Sequence, residues 1–286
     1  MNSKNKTPLK WVGGKTRMMT SLNQLIPSGN RLIEPFVGGG SVFMNMQHQE
    51  LILNDANLAL INFYRCVKDS PELLLEQVRA LFCEGNRNDS AYLGIRQKFN
   101  LGLVHLPTLE DLEGDFAHAA QFFYINKFGF NGLYRTNKRG FVNVGFGKPE
   151  SLPGIPEDAF LQMSERLQNA QLHSADFEVV SQMAGPGDVL YLDPPYVDAK
   201  VDSPCFTGYK AGGFSLGDQA RVANAARLAA ARGATAIISN HNTALTRAMY
   251  AEAGAELTEV EVGRSVSAKA KTRGKAKELL ALFRPT

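Results

Sequence analysis

"RLIEPFVGGGSVFMNMQHQELILND", Arg31 to Asp55, is the stretch on which the fold turns. A short apolar run, RLIEP, is ended by Pro35. A glycine turn, FVGGGS, comes next, then VFMNM, where Ser41 predicts a helix N-cap. A second strand-like run, LILND, carries Asp55 at its carboxyl end. Strand, glycine turn, helix, strand is one unit of a doubly wound α/β sheet, whose ligands bind at the carboxyl ends of the strands. Gly38 and Gly40 form a G-x-G, but Phe43 stands where a dinucleotide pattern has its third glycine, so a pyrophosphate is poorly served. A ligand with an adenosine and no phosphate needs neither that glycine nor a helix amino end aimed at negative charge. S-adenosylmethionine is such a ligand. Asp55 is placed either to accept both ribose hydroxyls or to cap the helix begun by "ANLALINFY".

Upstream, Met18, Met19, Leu22, Leu25 and Ile26 recur at helical spacing until "PSG" stops them. The segment before that, "LKWVGGKT" from Leu9 to Thr16, ends like an ATP-binding P-loop, yet Leu9 occupies the position of its first glycine and no buried strand precedes it. Downstream of Asp55 the pattern predicts helices over 56–67, 71–82, 90–99 and 109–128. Alternating α/β character returns around Gln171, with strands expected in "NAQLHSADF", "DVLYLDPPY", "ATAIISN" and "ELLALF" and a helix over 216–232 behind Ser215. The expected organisation is a discontinuous α/β domain, 1–57 and 149–286, interrupted by a mainly helical block at 58–148.

In "VLYLDPPY", Val189 to Tyr196, a hydrophobic strand ends in Asp193, and the prolines behind it hold that residue extended. Pro194 offers a carbonyl beside the carboxylate and Tyr196 an aromatic face. Two acceptors with a stacking ring fit the exocyclic amine of a flat base; the blander reading is a strand end followed by a proline turn.

Composition restricts the alternatives. The chain of 286 residues has a net charge of +3 and ordinary apolar content, which is globular rather than membrane-spanning or disordered. Absence of a hydrophobic signal core implies a cytoplasmic location, on the nucleoid or in a host's cytoplasm. Cys66, Cys83 and Cys205 are odd in number and widely spaced, which suits neither a disulfide framework nor zinc. Charge is uneven, however: Asn126 to Lys148 holds five basic residues, five aromatics and no acid. Basic groups suit phosphates, Arg and Asn suit base edges, and aromatics suit unstacked steps; an alternating surface hairpin is the plainer account. "RSVSAKAKTRGKAK" adds six basic residues between Arg264 and Lys277, either a loop lying near a phosphate backbone or a solvated one.

Taken in order, "LKWVGGK", "EPFVGGGSVF", "LND", "FNGLYR…N…RG…N", "DPPY", "ISNH" and "RSVS…ELLALF" resemble the DNA adenine methyltransferase (Dam) family from about Leu9 to Arg284. The glycine motif precedes the insert and DPPY follows it, as in the alpha arrangement of amino-methyltransferases. The resemblance implies a Rossmann-like, S-adenosylmethionine-dependent catalytic domain with an inserted target-recognition domain. It lays cofactor roles on Trp11 and Lys15, the lysine near the methionine carboxylate; on Glu34, Phe36, Gly38 and Gly40 around that moiety; on Asp55 at the ribose; and on Asp176 and Phe177 at the adenine. Asp193, Pro194 and Tyr196 become the catalytic loop: hydrogen bonds from an extruded adenine's N6 to Asp193 and the Pro194 carbonyl localise its lone pair, Tyr196 stacks, and N6 displaces the sulfonium methyl. No metal is implied. The same resemblance makes Phe130 and Asn131 wedge beside the flipped base, Lys10, Leu133 and Arg135 read bases, and Asn137, Arg139, Asn143 and Lys148 contact phosphates. The partner implied is double-stranded DNA carrying GATC, approached by a monomer, with more than one copy able to load on one duplex. The chain departs from the family at Gly145, where the family has the proline of "NVPFG" against the recognised bases, so strict GATC specificity is not implied. Other readings compete. N4-cytosine methylation uses the same loop but more often with Ser first. A C5-cytosine enzyme needs a Pro-Cys after a strand, whereas Pro204-Cys205 follows DPPY in a polar loop. A degenerate DNA-binding protein has no reason to keep Asp193 and Asp55, and an NAD-linked oxidoreductase no use for DPPY.

Overall fold

The computed structural model describes residues 5–105, 108, 110–112, 114–196, 213–263 and 275–286. A 3-10 turn at Lys15–Arg17 leads into α1 (Met19–Leu25), β1 (Arg31–Glu34) and β2 (Glu50–Asn54). Four helices follow: α2 (Leu58–Asp69), α3 (Pro71–Leu81), α4 (Asp89–His105) and α5 (Phe116–Phe128). After them come α6 (Glu157–Leu167), β3 (Ala170–His173), α7 (Phe177–Ser181), β4 (Val189–Leu192), α8 (Leu216–Ala231), β5 (Thr235–His241), α9 (Ala244–Glu252), β6 (Glu256–Gly263) and β7 (Lys275–Phe283). The strands form one sheet in the order β3-β2-β1-β4-β5-β7-β6, parallel except for β7, which runs antiparallel between β5 and β6. The doubly wound expectation therefore holds, with a hairpin added at one edge.

The strands are apolar on both faces because both are covered. Leu32, Leu51, Leu53, Tyr191, Ile237 and Leu280 pack into a cluster with α2, α3, α5 and α6. Ile33, Ile52, Leu190, Leu192, Ile238 and Leu279, one residue out of phase, pack against α7, α8 and Tyr250 of α9. The helical block thus shares one continuous apolar cluster with a sheet face, built on the stacked rings of Phe63, Phe123 and Phe82.

Several elements differ from the sequence-based expectation. No helix forms at VFMNM; residues 41–46 make a wound turn, in which Asn45 donates its side-chain amide to the Ser41 carbonyl and competes with the backbone ladder. The helix expected from Leu109 starts at Phe116 instead, capped by Asp115 directly after the positive-φ Gly114. Asn57, not Asp55, caps α2. Four elements lie outside the expectation altogether: α6, although Phe160, Met163 and Leu167 have helical spacing, the short α7, α9, and β6, whose glutamates mask a strand at the sheet edge.

One buried side chain ties the carboxyl ends of three adjacent segments. Asn54, 1% exposed, donates to the Pro35 and Ala175 carbonyls and accepts from the Ala175 N–H. Replacing Asn54 by Ala strands these groups away from water, and we expect a loss of about 3 kcal/mol. The check is a lower urea midpoint at unchanged m-value.

Candidate active site and nucleic-acid interface

Strand periodicity decides which side chains meet. Glu34 follows Leu32, Asp193 follows Tyr191, Ser239 follows Ile237 and Glu278 precedes Leu280 at the two-residue repeat, so all four face the helical block at one end of the sheet. There the Asp193 Oδ2 meets Lys15 Nζ at 2.6 Å, and Oδ1 accepts from the Ser239 hydroxyl at 2.7 Å. Lys15, brought in by the 3-10 turn, also donates to the Gly13 carbonyl and lies 4.7 Å from the centroid of the Tyr196 ring. Tyr196 donates to Glu278 at 2.8 Å and sets its ring edge-on to His241. Beneath the loop, the buried Gln219 of α8 donates to the Pro195 carbonyl, while among the described residues nothing donates to that of Pro194.

Glu34 sits inside this cluster, 2% exposed, with Oε1 lacking a hydrogen-bond partner among the described residues. Burial, and then the charge of Asp193, push its carboxyl well above the usual range, so the neutral acid is favoured. Lys15 then compensates Asp193 alone.

The glycine loop curls over Asp55. The Gly38 N–H donates to one carboxylate oxygen at 3.1 Å and the Asn57 N–H to the other at 3.0 Å, yet burial dominates and raises the carboxyl to about 6. Gly38 and Gly40 both have positive φ, and side chains there would strike Trp11 and Phe43. Trp11 packs across Gly38 and Gly39 and stacks on Tyr134. Phe36, Phe177 and Phe214 form one aromatic wall; the sequence reading names the first two, and Phe214 joins them from just before α8. Asp176 caps α7 and is held by Arg221, which also binds Glu178 and Asp218 and covers the Phe177 ring.

The residues that the resemblance assigns to DNA lie before α1, in the 3-10 turn after α5 and in the hairpin that follows it. Phe130 is 55% exposed, and Asn131 beside it adopts a left-handed φ of 54°. The buried Asn126 accepts from the Lys10 N–H and donates to the Lys10 carbonyl, a grip that sets Lys10 against Gly132. Leu133 packs partly into the core, and exposed Arg135 is oriented through its Nε by Asn143. Asn137 accepts from the Arg139 and Phe141 N–H groups and so shapes the hairpin tip, leaving Arg139 exposed. Lys148 has a positive φ. The Gly145 carbonyl accepts from the Phe130 N–H, and the space a side chain at residue 145 would fill is open. Lys127, counted among the basic residues of this stretch but given no role of its own in the sequence reading, is pushed down to about 8 by burial and by Lys10, so two cations share this face. Lysine spacing gives no sign of that pairing, which arises only when residue 10 is folded onto α5. Pro204-Cys205 and most of the Arg264–Lys277 stretch lie outside the described residues. Among those described, no group of His, Cys, Asp and Glu is arranged for a metal, and no helix is long and apolar enough to cross a membrane.

Known proteins match this arrangement along its length. The family model of the D12 class N6 adenine-specific DNA methyltransferases matches residues 11–266. The DNA adenine methylase of Vibrio cholerae is 37% identical over 278 residues, 97% of this chain and 95% of that protein. That of Escherichia coli K12 is 36% identical over 282 residues, 99% and 96% respectively. The DNA N-6-adenine-methyltransferase of Escherichia phage P1 is 36% identical over 276 residues, 96% of this chain and 35% of the phage protein. A Rossmann-like sheet with DPPY at the end of its central strand and these matches across nearly the whole chain place it in one family: it belongs to the D12 class of N6 adenine-specific DNA methyltransferases.

Proposed function

We propose that the protein transfers the methyl group of S-adenosylmethionine to N6 of an adenine flipped out of duplex DNA, with GATC as the preferred site. The observation that carries this reading is the Lys15 ammonium, seated on Asp193 Oδ2 and against the Tyr196 ring. A nitrogen with N–H donors already occupies the place where N6 needs an acceptor and an aromatic face. As the base enters, one N6–H goes to Asp193 and the other to the Pro194 carbonyl, and Lys15 moves off toward the cofactor's carboxylate. The lone pair is then directed out of the ring. S-adenosylmethionine, when bound, supplies the electrophilic methyl group.

The chain's residues fit that cofactor. Glu34 Oε1, without a hydrogen-bond partner among the described residues, can meet its ammonium, the Asp55 carboxylate its ribose hydroxyls, and the wall of Phe36, Phe177 and Phe214 its adenine. Asp176 meets the adenine beside that wall and, fixed by Arg221, also holds α7 and thereby Phe177 in place. Residues 58–148 act as the recognition layer. Phe130 and Asn131, the exposed ring and the strained residue at its tip, fill the gap left by the base, and Arg135 reads a guanine edge. Lys10 reads the site from the other side, Leu133 contacts a neighbouring base, and Asn137, Arg139, Asn143, Lys148 and Lys127 face the phosphates.

Incubation with labelled S-adenosylmethionine and duplexes bearing GATC or its single-base variants tests the whole reading. Label is expected on adenine N6, strongest with GATC; transfer to no adenine ends the proposal, and equal transfer to all duplexes removes the site preference. Arg135→Ala is expected to lose roughly 1–3 kcal/mol of discrimination at one guanine, read from the same duplex panel, with activity on the remaining variants retained.

Asp55 makes the cofactor reading testable by pH. An acid raised from 3.8 to about 6 on folding contributes stability that is present at low pH and is lost as the pH rises through about 6. Ribose hydroxyls donate to the ionised form, so they oppose that shift. S-adenosylhomocysteine is therefore expected to bind more tightly at pH 7 than at pH 5, with release of a fraction of a proton near about pH 5.5, measurable by calorimetry in two buffers.

A further inference from the structure

We propose that Ser239 is a positioning residue for methyl transfer: with Tyr191 it holds the Asp193 carboxylate so that only Oδ2 faces the target amine. The inference rests on the role given to Asp193 above. Asp193 stands at the end of β4, and the β4–β5 register, with Tyr191 opposite Ile237 and Leu192 opposite Ile238, continues to set Asp193 beside Ser239. Ser239 is 0% exposed and Tyr191 1%. The Tyr191 hydroxyl lies 3.0 Å from Ser239 Oγ, which lies 2.7 Å from Asp193 Oδ1.

The directions of these bonds follow from the atoms. A carboxylate only accepts, so the single Ser239 proton goes to Oδ1, and the Ser239 lone pair accepts the Tyr191 proton. Burial, and then the charge of Asp193, keep that phenol protonated. The Tyr191 proton therefore points to Ser239 and the Ser239 proton to Oδ1, the Tyr196 hydroxyl also reaches Ser239, and the two buried hydroxyls cannot turn to water. Oδ1 is occupied, whereas Oδ2 is left for an incoming N–H, which Lys15 now supplies. A carboxylate free to rotate would spread its acceptors over orientations that do not direct the N6 lone pair, and misplacement on the order of 1 Å is enough to cost about 100-fold in rate. On the other sheet face, Asn240 donates to Gln219, which donates to the Pro195 carbonyl. The loop is thus fixed from both sides, and Ser239 is the group that fixes it at Asp193.

Single-turnover methylation of a GATC duplex separates this role from mere packing. S239A is expected to transfer methyl about 10- to 100-fold more slowly, with KM for DNA and for S-adenosylmethionine within about twofold of the parent. It also strands the buried Tyr191 hydroxyl, so its Tm falls. The double variant Y191F/S239A removes both ends of that bond; it is expected to recover Tm while remaining as slow as S239A. A rate for S239A within about threefold of the parent overturns the inference, as does recovery of rate together with Tm in the double variant. D193A run alongside keeps the two assignments apart: if D193A still turns over, the role of Asp193 fails, whereas an inactive D193A with a fast S239A removes only Ser239.

Discussion

The parallel pairing of β1 with β4 is the joint on which the molecule depends. It is short, Leu32 against Val189 and Ile33 against Leu190, and it joins segments on either side of the whole helical block. Everything between is held as a closed loop by this seam, and closing so long a loop carries an entropy cost that the seam and its flanks must offset. Its lower end is fastened by Arg31, whose guanidinium makes a two-pronged ion pair with the buried Asp188 and also reaches the Met183 carbonyl. The same seam brings Glu34 and Asp193 to its upper end as neighbouring acids. A structural joint and the cluster of Glu34, Asp193 and Lys15 are thus two ends of one pair of strands.

Placing two acids side by side in an apolar sheet end is unfavourable, and the structure resolves it in two ways. Glu34 favours its proton, and Asp193 takes the Lys15 ammonium. A buried ion pair of this sort recovers little more than its desolvation cost, so the pair serves a replaceable contact better than a permanent one. Ser239 holds the other oxygen of Asp193, so the ion pair with Lys15 occupies Oδ2 alone.

Much of this was legible in the sequence because it follows from local chemistry. The RLIEP and LILND runs, the glycine turn and DPPY each carry their own punctuation, and the sheet forms where they predict it. What was illegible has longer-range causes. Val42, Phe43, Met44 and Met46 read as a helix by composition, but Asn45 turns its amide onto the backbone and the segment stops after one turn. For Lys15 the resemblance implies a cofactor's carboxylate, whereas its contact in the fold is with Asp193, most of the chain away. Ser239 and Glu278 lie in apolar strands, and nothing local distinguishes them from capping or solvent-facing polar residues; only sheet order turns them toward Asp193 and its loop.

Trp11 joins the glycine loop to the hairpin that follows α5. Its indole occupies the space that side chains at residues 38 and 39 would need, and it stacks on Tyr134, which leads through Arg135 into the hairpin bridge between Thr136 and Val142. One residue earlier, Lys10 is gripped through its backbone by Asn126 near the end of α5. Close-packed rings transmit displacement rather than absorbing it. Through Tyr134 and Trp11 the hairpin is therefore packed against Gly38, whose N–H holds Asp55 and whose carbonyl is held by Tyr64. In this geometry the base of the hairpin and the shape of the loop over Asp55 are set by the same few rings, and a side chain added at residue 38 or 39 would have to displace the ring that joins them.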